Sequence, residues 1–508
     1  MIIVIDLGGQ YAHLICRRIR ELGVYSELAS HTISATEIER RKPEGIVLSG
    51  GPASVYEKGS PQIDKKILNL GIPVLGICYG HQLIAKYLGG KVIPSQREYG
   101  RKILNVRSAK GIFSGLKNKE PVWASHGDSV TELKGFEIIG STDSCKLAAY
   151  ASDRLRIYGI QFHAEVEHTP AGMRILRNFL KLCNAKKDWK ISGLQKKLVA
   201  ETRKVTGSSG VIMAVSGGVD SLVASVIIKK ATPNVHCVFV DNGLLRKNEA
   251  GYVKTLYNEI GFAHFYHEDA SKLFLQRLKG IAEPEEKRKI IGKTFVEVFE
   301  KKANSLKKKH GEIKFLGQGT IYPDRIESAQ PSSTASRIKT HHNVGGLPPG
   351  MKLKLVEPLE DLYKDEVRKL GLELGIQKEA LYRHPFPGPG LAVRILGEVT
   401  EDRLRMAREA DAIFDQELRR SGYYEKTWQA LAALLPVKSV GVMGDARTYQ
   451  NMVALRAVTS KDAMTADWAK LPHELLEKIS SRITSEVRGV NRVVYDITQK
   501  PPATIEYE

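Results

Sequence analysis

A cysteine with a glycine two residues to either side lies in Pro73-Val-Leu-Gly-Ile-Cys78-Tyr-Gly80-His-Gln-Leu. The residues before it read as a buried strand and those after it as a helix. At such a strand-to-helix turn a cysteine is placed as a nucleophile: small neighbours permit the sharp turn, and the helix N-terminus favours the thiolate. A thiolate needs a base, and Tyr158-Gly-Ile-Gln-Phe-His163-Ala-Glu165 supplies an imidazole and a carboxylate at two-residue spacing. Alternate side chains share one face of an extended chain, so Glu165 can support a charged His163. A third segment, Gly45-Ile-Val-Leu-Ser-Gly50-Gly51-Pro52, runs from a strand into a Gly-rich turn whose free amides can face an oxyanion. Such donors are worth about 2.7–4 kcal/mol to an acyl-transfer transition state.

A second chemical centre follows the same strand–loop–helix plan. Gly210-Val-Ile-Met-Ala-Val215-Ser216-Gly217-Gly218-Val219-Asp220-Ser221-Leu222 presents loop amides and a helix N-terminus, a ready anion site. It lacks the Gly-Lys-Ser/Thr ending of a Walker loop. Downstream, Phe239-Val-Asp241-Asn-Gly-Leu-Leu-Arg246 and Leu316-Gly-Gln318-Gly319-Thr-Ile-Tyr-Pro-Asp324 each leave a strand with polar or charged groups, at the edge where open α/β sheets bind ligands. The stretch Ser328–Pro349 has little periodicity and carries Lys339-Thr-His341-His342 at its middle. A loop that long is read as a lid that brings Lys339 to a polyanion; adjacent histidines diverge on an extended chain, so a shared metal is not expected of them.

These centres require elements to hold them. Readable strands at Ile2–Ile5, Gly45–Leu48, Pro73–Ile77, Val211–Val215, Val235–Val240 and Ile313–Leu316 alternate with helix-period segments, the pattern of parallel α/β sheets. A polar break near residue 189 separates two such α/β domains, 1–189 and 190–383. The prolines of His384-Pro-Phe-Pro-Gly-Pro-Gly390 open a third region, 384–508. There a helix-like Asp402–Leu418 and strand-like Val453–Val458 and Arg492–Ile497 read as α+β. With 508 residues more than one core is expected. Five widely spaced cysteines without a CxxC pair argue against disulfides or zinc and for a reducing, cytoplasmic setting. No apolar run approaches the roughly 18 residues of a membrane span, and the start is a strand without a basic leader. Lys+Arg exceeds Asp+Glu by 77 − 57 = 20, a surplus read chiefly as a solvated lysine-rich surface with a share for phosphate-bearing ligands.

The order Gly-Gly-Pro, Gly-x-Cys-x-Gly, His-x-Glu resembles the class I, or triad, glutamine amidotransferases. The resemblance implies a Cys78, His163, Glu165 triad, an oxyanion hole from the amides of Gly51 and Tyr79, and release of ammonia from glutamine. Ala164 stands where that family commonly has proline. Ser-Gly-Gly-Val-Asp-Ser resembles the PP-loop of the ATP pyrophosphatases. This implies ATP held by Ser216, Gly217, Gly218, Val219, Asp220, Ser221 and Leu222 with Lys339, and AMP and pyrophosphate as products. Mg²⁺ would accompany the nucleotide, with Asp220 and Asp324 as its candidate ligands. Four further segments, Lys339–Gly346, Arg383–Gly390, Ser439–Asp445 and Lys500–Glu506, extend the resemblance over essentially the whole chain to the glutamine-hydrolysing GMP synthetase family. That family adenylates the C2 oxygen of XMP and lets ammonia displace AMP. By resemblance, Arg246 reaches the XMP phosphate, Lys500, Thr504 and Glu506 belong to the XMP site, and the third domain carries a homodimer contact. Glutamine, XMP and ATP are then the partners, with neither nucleic acid nor membrane. A PP-loop enzyme that modifies tRNA would also suit the net charge, but it has no use for a glutaminase.

Overall fold

The computed structural model describes residues 1–311, 313–329, 353–443, 445–460 and 465–508. The chain divides into two compact units, Met1–Lys190 and Ile191–Glu508.

In the first unit, Ile2-Ile-Val-Ile carries aliphatic side chains on both faces, and such a strand is stable only where both faces are covered. It forms β1 (Ile2–Asp6), flanked by β2 (Ser26–Ser30) and β3 (Gly45–Leu48), with β4 (Val74–Ile77) beyond β3. The sheet continues through β5 (Lys91–Val106), β6 (Lys119–Glu132), β7 (Glu137–Ser141), β8 (Ala149–Ser152) and β9 (Ile157–Ile160) in the order β2-β1-β3-β4-β9-β8-β7-β5-β6. The first five strands of that order are parallel, and the remaining four pair antiparallel. Ile3, Ile5, Ile46, Leu48, Val74 and Ile84 lie in its core. The antiparallel extension is absent from the sequence reading for a physical reason. Lys91, Arg97, Arg101 and Lys102 interrupt the apolar pattern of β5, as a hairpin with one solvated face permits, and Glu98 adds a buried charge paired with His126.

The second unit holds two sheets. One is fully parallel, from β10 (Gly210–Val215), β11 (Val235–Asp241), β12 (His264–Asp269), β13 (Ile313–Gly317) and β14 (Lys354–Val356), in the order β12-β11-β10-β13-β14. Strand order reverses between β10 and β13, which opens a crevice at their C-terminal ends. The other is mixed: a long antiparallel hairpin of β15 (Gln429–Met443) and β16 (Ala446–Thr459), the short β17 (Asp467–Trp468), and β18 (Val490–Tyr495) parallel to β16. Helix Glu401–Arg420 contains the helix read at Asp402–Leu418; Thr400 caps it by accepting Arg403 N–H at 3.3 Å. One buried cluster, including Ile212, Val238, Leu391, Leu434, Val453 and Ile479, runs through both sheets of this unit. Among the described residues no helix is long and apolar enough to cross a membrane.

Candidate functional site

Cys78 sits between β4 and helix Tyr79–Tyr87 with φ +53° and ψ −104°, a conformation that L-residues adopt only at a cost of order 1–3 kcal/mol. The surroundings enforce it. Cys78 N–H donates to Ile160 C=O at 2.8 Å, and Gly80 N–H to Ser49 C=O at 3.0 Å, so the turn is pinned to β9 on one side and to the end of β3 on the other. The flanking glycines answer to close packing: a Cβ at Gly80 would lie 2.5 Å from Leu48 O, and one at Gly76 2.6 Å from Ile84 Cδ1. The thiol faces the Ser125 carbonyl at 3.7 Å and the Gln161 side-chain amide at 3.8 Å.

The candidate base lies beyond β9, the strand paired with β4. β9 ends at Ile160, three residues before His163, and His163 then forms an isolated antiparallel bridge with Trp123 of β6. His163 Nδ1 and Glu165 Oε1 are 2.7 Å apart, both side chains buried. Burial opposes protonation of His163, but the Glu165 carboxylate and the Cys78 sulfur outweigh it and hold the imidazole pKa well above its ordinary value. A methyl at Gly50 would lie 3.1 Å from His163 Cε1 and 3.6 Å from Cys78 Cβ, so both side chains border this glycine. Gly51 is equally confined, with Leu7 O only 2.6 Å from where its Cβ would be. Tyr79 is the first residue of its helix, and its amide has no intrahelical acceptor. Three of the other thiols differ in kind. Burial pushes Cys145 up to about 11 and Cys183 to about 12, and raises Cys237 as well, leaving them protonated and inert.

Several participants have no sequence signature. Ser49 Oγ accepts Leu7 N–H at 2.9 Å and donates to Gly50 C=O at 2.8 Å, tying the loop after β3 to β1. Arg18 Nε donates to Glu165 C=O at 2.9 Å, and the Tyr11 ring meets His163 edge-on at 5.1 Å. Ser49 and Gln161 lie inside the motif segments themselves, but their residue types alone do not mark these roles.

In the second unit the Ser216–Ser221 loop closes on itself at the end of β10. Ser216 Oγ accepts Gly218 N–H at 3.2 Å, and Ser221 Oγ donates to Gly218 C=O at 3.0 Å. Gly217 has φ +73°, and its Cβ would strike Val253 Cγ2 at 2.5 Å. The loop after β13 packs on the same helix start: a Cβ at Gly319 would lie 2.7 Å from Ser221 N. The two loops read from sequence thus meet at the switch point.

The two carboxylates singled out for a metal have separate partners. Asp220 Oδ2 accepts from Lys364 Nζ at 2.5 Å while its Oδ1 is buried without a partner; Asp324 Oδ2 accepts Ile321 N–H at 3.2 Å. Among the described residues no group of three or more His, Cys, Asp or Glu could hold a metal ion. Lys339, His341 and His342 lie outside the described residues.

Arg246 and Glu506, far apart in sequence, belong to one buried network. Arg246 Nε is 3.6 Å from Asp411 Oδ2, Asp411 Oδ1 accepts from Arg394 Nη1 at 3.0 Å, and Arg394 forks onto Glu506 at 2.9 and 3.1 Å. Arg394 is fully buried. Arg246 lies over the Phe386 ring at 4.6 Å, and burial lowers its pKa. Thr504 contributes its carbonyl to buried Arg456 at 2.9 Å, and Lys500 pairs its backbone with Ala466. Arg383 forks onto Glu249 at 2.6 and 2.7 Å beside Gly217. Asp411 and Arg394 carried no signal in an isolated sequence, whereas Arg383 opens one of the segments that carry the resemblance.

The class-I glutamine amidotransferase family matches residues 3–183, and the GMP synthase C-terminal domain family matches residues 416–507. Similar curated proteins include the glutamine-hydrolysing GMP synthase of Carboxydothermus hydrogenoformans, 53% identical over 100% of this chain and 99% of its own. Those of Clostridium novyi and Clostridium tetani are 51% identical with the same coverage. With identity at this level from end to end, the chain belongs to the glutamine-hydrolysing GMP synthase family.

Proposed function

We propose that the chain makes GMP from XMP, ATP and glutamine, with glutamine hydrolysed at Cys78 and nitrogen installed in the second unit. The carrying observation is the Cys78 turn at positive φ beside the His163–Glu165 pair, in a chain that also holds the closed Ser216–Ser221 loop. Cys78 sulfur attacks the glutamine amide carbon. The oxyanion is met by the amides of Gly51 and Tyr79, and His163 gives its proton to the departing ammonia. Water, deprotonated by His163, then releases glutamate from the thioester. Glu165 keeps the imidazole oriented and stabilises its charged form throughout.

In the second unit the amides of Gly217 and Gly218, Ser216, Ser221 and the helix start with Val219 and Leu222 hold the ATP phosphates. Adenylation of XMP at its C2 oxygen releases pyrophosphate, and ammonia displaces AMP. Arg246 and Lys339 supply positive charge to phosphate, while Lys500, Thr504 and Glu506 belong to the XMP site. The unpartnered Asp220 Oδ1 fits a Mg²⁺ ion brought in with ATP, which would neutralise phosphate charge; Asp324, occupied as a helix cap, fits less well. We retain the three-domain reading, 1–189, 190–383 and 384–508, with a homodimer formed by the last. Exposed Val437, Val440, Val442 and Tyr449 on the β15–β16 hairpin support it. Five free cysteines support a cytoplasmic setting.

The test is AMP and pyrophosphate release with glutamine, ATP and a panel of acceptors. XMP is expected to stimulate release well above background; stimulation by RNA but not by XMP would overturn the assignment.

A further inference from the structure

We infer that Thr169 is a positioning residue for the catalytic base, part of a brace that fixes the backbone His163–Ala164–Glu165 without a proline. The inference rests on the Cys78–His163–Glu165 reading.

His163 N–H donates to Trp123 C=O at 2.9 Å, one half of an antiparallel bridge. The other half is not direct. Trp123 N–H donates to Thr169 Oγ1 at 3.0 Å, and Thr169 Oγ1 in turn donates to His163 C=O at 2.6 Å. A hydroxyl has been inserted into the ladder as a relay, accepting from one strand and donating to the other. Only a side chain that is donor and acceptor at once can do this. Thr169 is itself buried and held by a tight turn, with its N–H on Val166 C=O at 3.2 Å and its C=O taking Gly172 N–H at 2.8 Å.

The next two carbonyls are confined as well. Ala164 O lies against Gly172, where a Cβ would come within 1.9 Å of it. Glu165 O accepts from Arg18 Nε at 2.9 Å. The carbonyls of His163 and Glu165 are therefore held by hydrogen bonds from the Thr169 turn and from Arg18, and that of Ala164 is packed against Gly172 of the same turn, so the segment between base and orienter has little freedom left. That constraint does the work of a ring at position 164: it keeps His163 and Glu165 on one face at hydrogen-bonding distance while Ala164 occupies the position between them.

The experiment compares Thr169→Val, Thr169→Ser, Gly172→Ala and His163→Ala in the full-length enzyme, each with glutamine and with ammonia as nitrogen source. Valine keeps the shape and removes the relay. Glutamine-dependent kcat is expected to fall on the order of 10- to 100-fold, the scale of a misplacement of about 1 Å. KM for glutamine and ammonia-dependent synthesis should change little, and the kinetic pKa of the imidazole should move down toward the ordinary histidine value. Serine should restore most of kcat. Gly172→Ala, which displaces Ala164 without touching the hydroxyl, should show the same split and carries the test if the valine variant does not fold. Wild-type glutamine kcat in both Thr169→Val and Gly172→Ala, with His163→Ala inactive, would overturn the brace and leave the triad standing. Equal loss of glutamine- and ammonia-dependent activity would make Thr169 merely structural and also overturn it. An active His163→Ala would instead remove the triad reading on which the inference rests.

Discussion

The Cys78 centre and the buried ion network of the second unit are built by different means. The Cys78 centre draws on the C-terminal ends of neighbouring parallel strands β3, β4 and the chain beyond β9, and backbone hydrogen bonds fix its strained turn. The Arg246–Asp411–Arg394–Glu506 network instead depends on side chains from distant segments, held by charge in a buried setting. A turn fixed by backbone hydrogen bonds keeps its shape when its own side chain is removed. A charge-built site does not, because removing one ion leaves its partners buried and uncompensated.

The largest effect should come where chemistry and scaffold separate most cleanly. Cys78→Ala removes the nucleophile but none of the backbone hydrogen bonds, and alanine accepts the turn at some strain. Glutamine-dependent turnover should drop by about 10⁴-fold or more, as for other nucleophile deletions, with ammonia-dependent synthesis retained. Parallel loss of the ammonia reaction in a folded variant would break the division into two centres.

Arg394→Met is the counterpart in the second unit. It removes the guanidinium from Glu506, which keeps the Gln429 side-chain amide at 2.5 Å, and from Asp411, which keeps Ala432 N–H at 3.2 Å and the 3.6 Å contact with Arg246. Breaking a buried pair costs about 3–5 kcal/mol, which denaturant unfolding of the full chain should read as an earlier transition of peptides from Ile191–Glu508. Weakened XMP stimulation should accompany it. A midpoint unchanged from wild type would mean the network is not stability-bearing.

Acid offers a third contrast. Burial, with neighbouring His264 and His310, holds His236 down to about 4, and burial together with nearby Arg246 and Arg419 holds His384 near 4 despite the Tyr424 carbonyl. In the unfolded chain both titrate near 6.5. Unfolding of the second unit therefore takes up protons as pH falls from about 6.5 toward 4, and its stability declines through that window, on the order of 2 kcal/mol for each histidine. In the first unit His81, held to about 3 by burial, acts in the same sense, but His163 opposes it. A raised pKa contributes stability that is fully present below 6.5 and lost only as pH rises through the raised value. Pulsed hydrogen exchange at pH 7, 5.5 and 4.5, read on peptides of each unit, should show Ile191–Glu508 opening first. The reverse order would mean these histidines do not govern acid stability.

This difference in construction also decides what could be read in advance. Strands apolar on both faces, such as Ile2–Ile5 and Gly45–Leu48, announce themselves, and the loops that follow them carry the reactive residues within a few positions. His163 and Glu165 are legible because their relation is local, two residues on an extended chain. Arg394 shows the opposite case: its partners Asp411 and Glu506 stand 17 and 112 residues away, and a lone arginine after Ala-Val has no pattern. Thr169 and Ser49 were invisible for another reason. Their role is to satisfy particular backbone groups, and which groups need satisfying is known only once the strands are paired. The hairpin β5–β6 was missed because its charged solvent face dilutes the alternation on which strand reading depends.

The smallest effect tests whether the first centre is as backbone-built as it looks. Ser49 is fully buried, and its hydroxyl bridges Leu7 N–H and Gly50 C=O. Ser49→Ala should cost about 1 kcal/mol net, since the lost bonds are partly recovered by relaxation of the loop. The Ser49 carbonyl would still accept Gly80 N–H, so the Cys78 turn keeps its anchor. Glutamine-dependent kcat should then fall less than about tenfold, through loosening of the Gly51 amide proposed to meet the oxyanion. A loss comparable with Cys78→Ala would show that one side chain holds the oxyanion loop, and the contrast between a backbone-built and a charge-built centre would collapse at its strongest point.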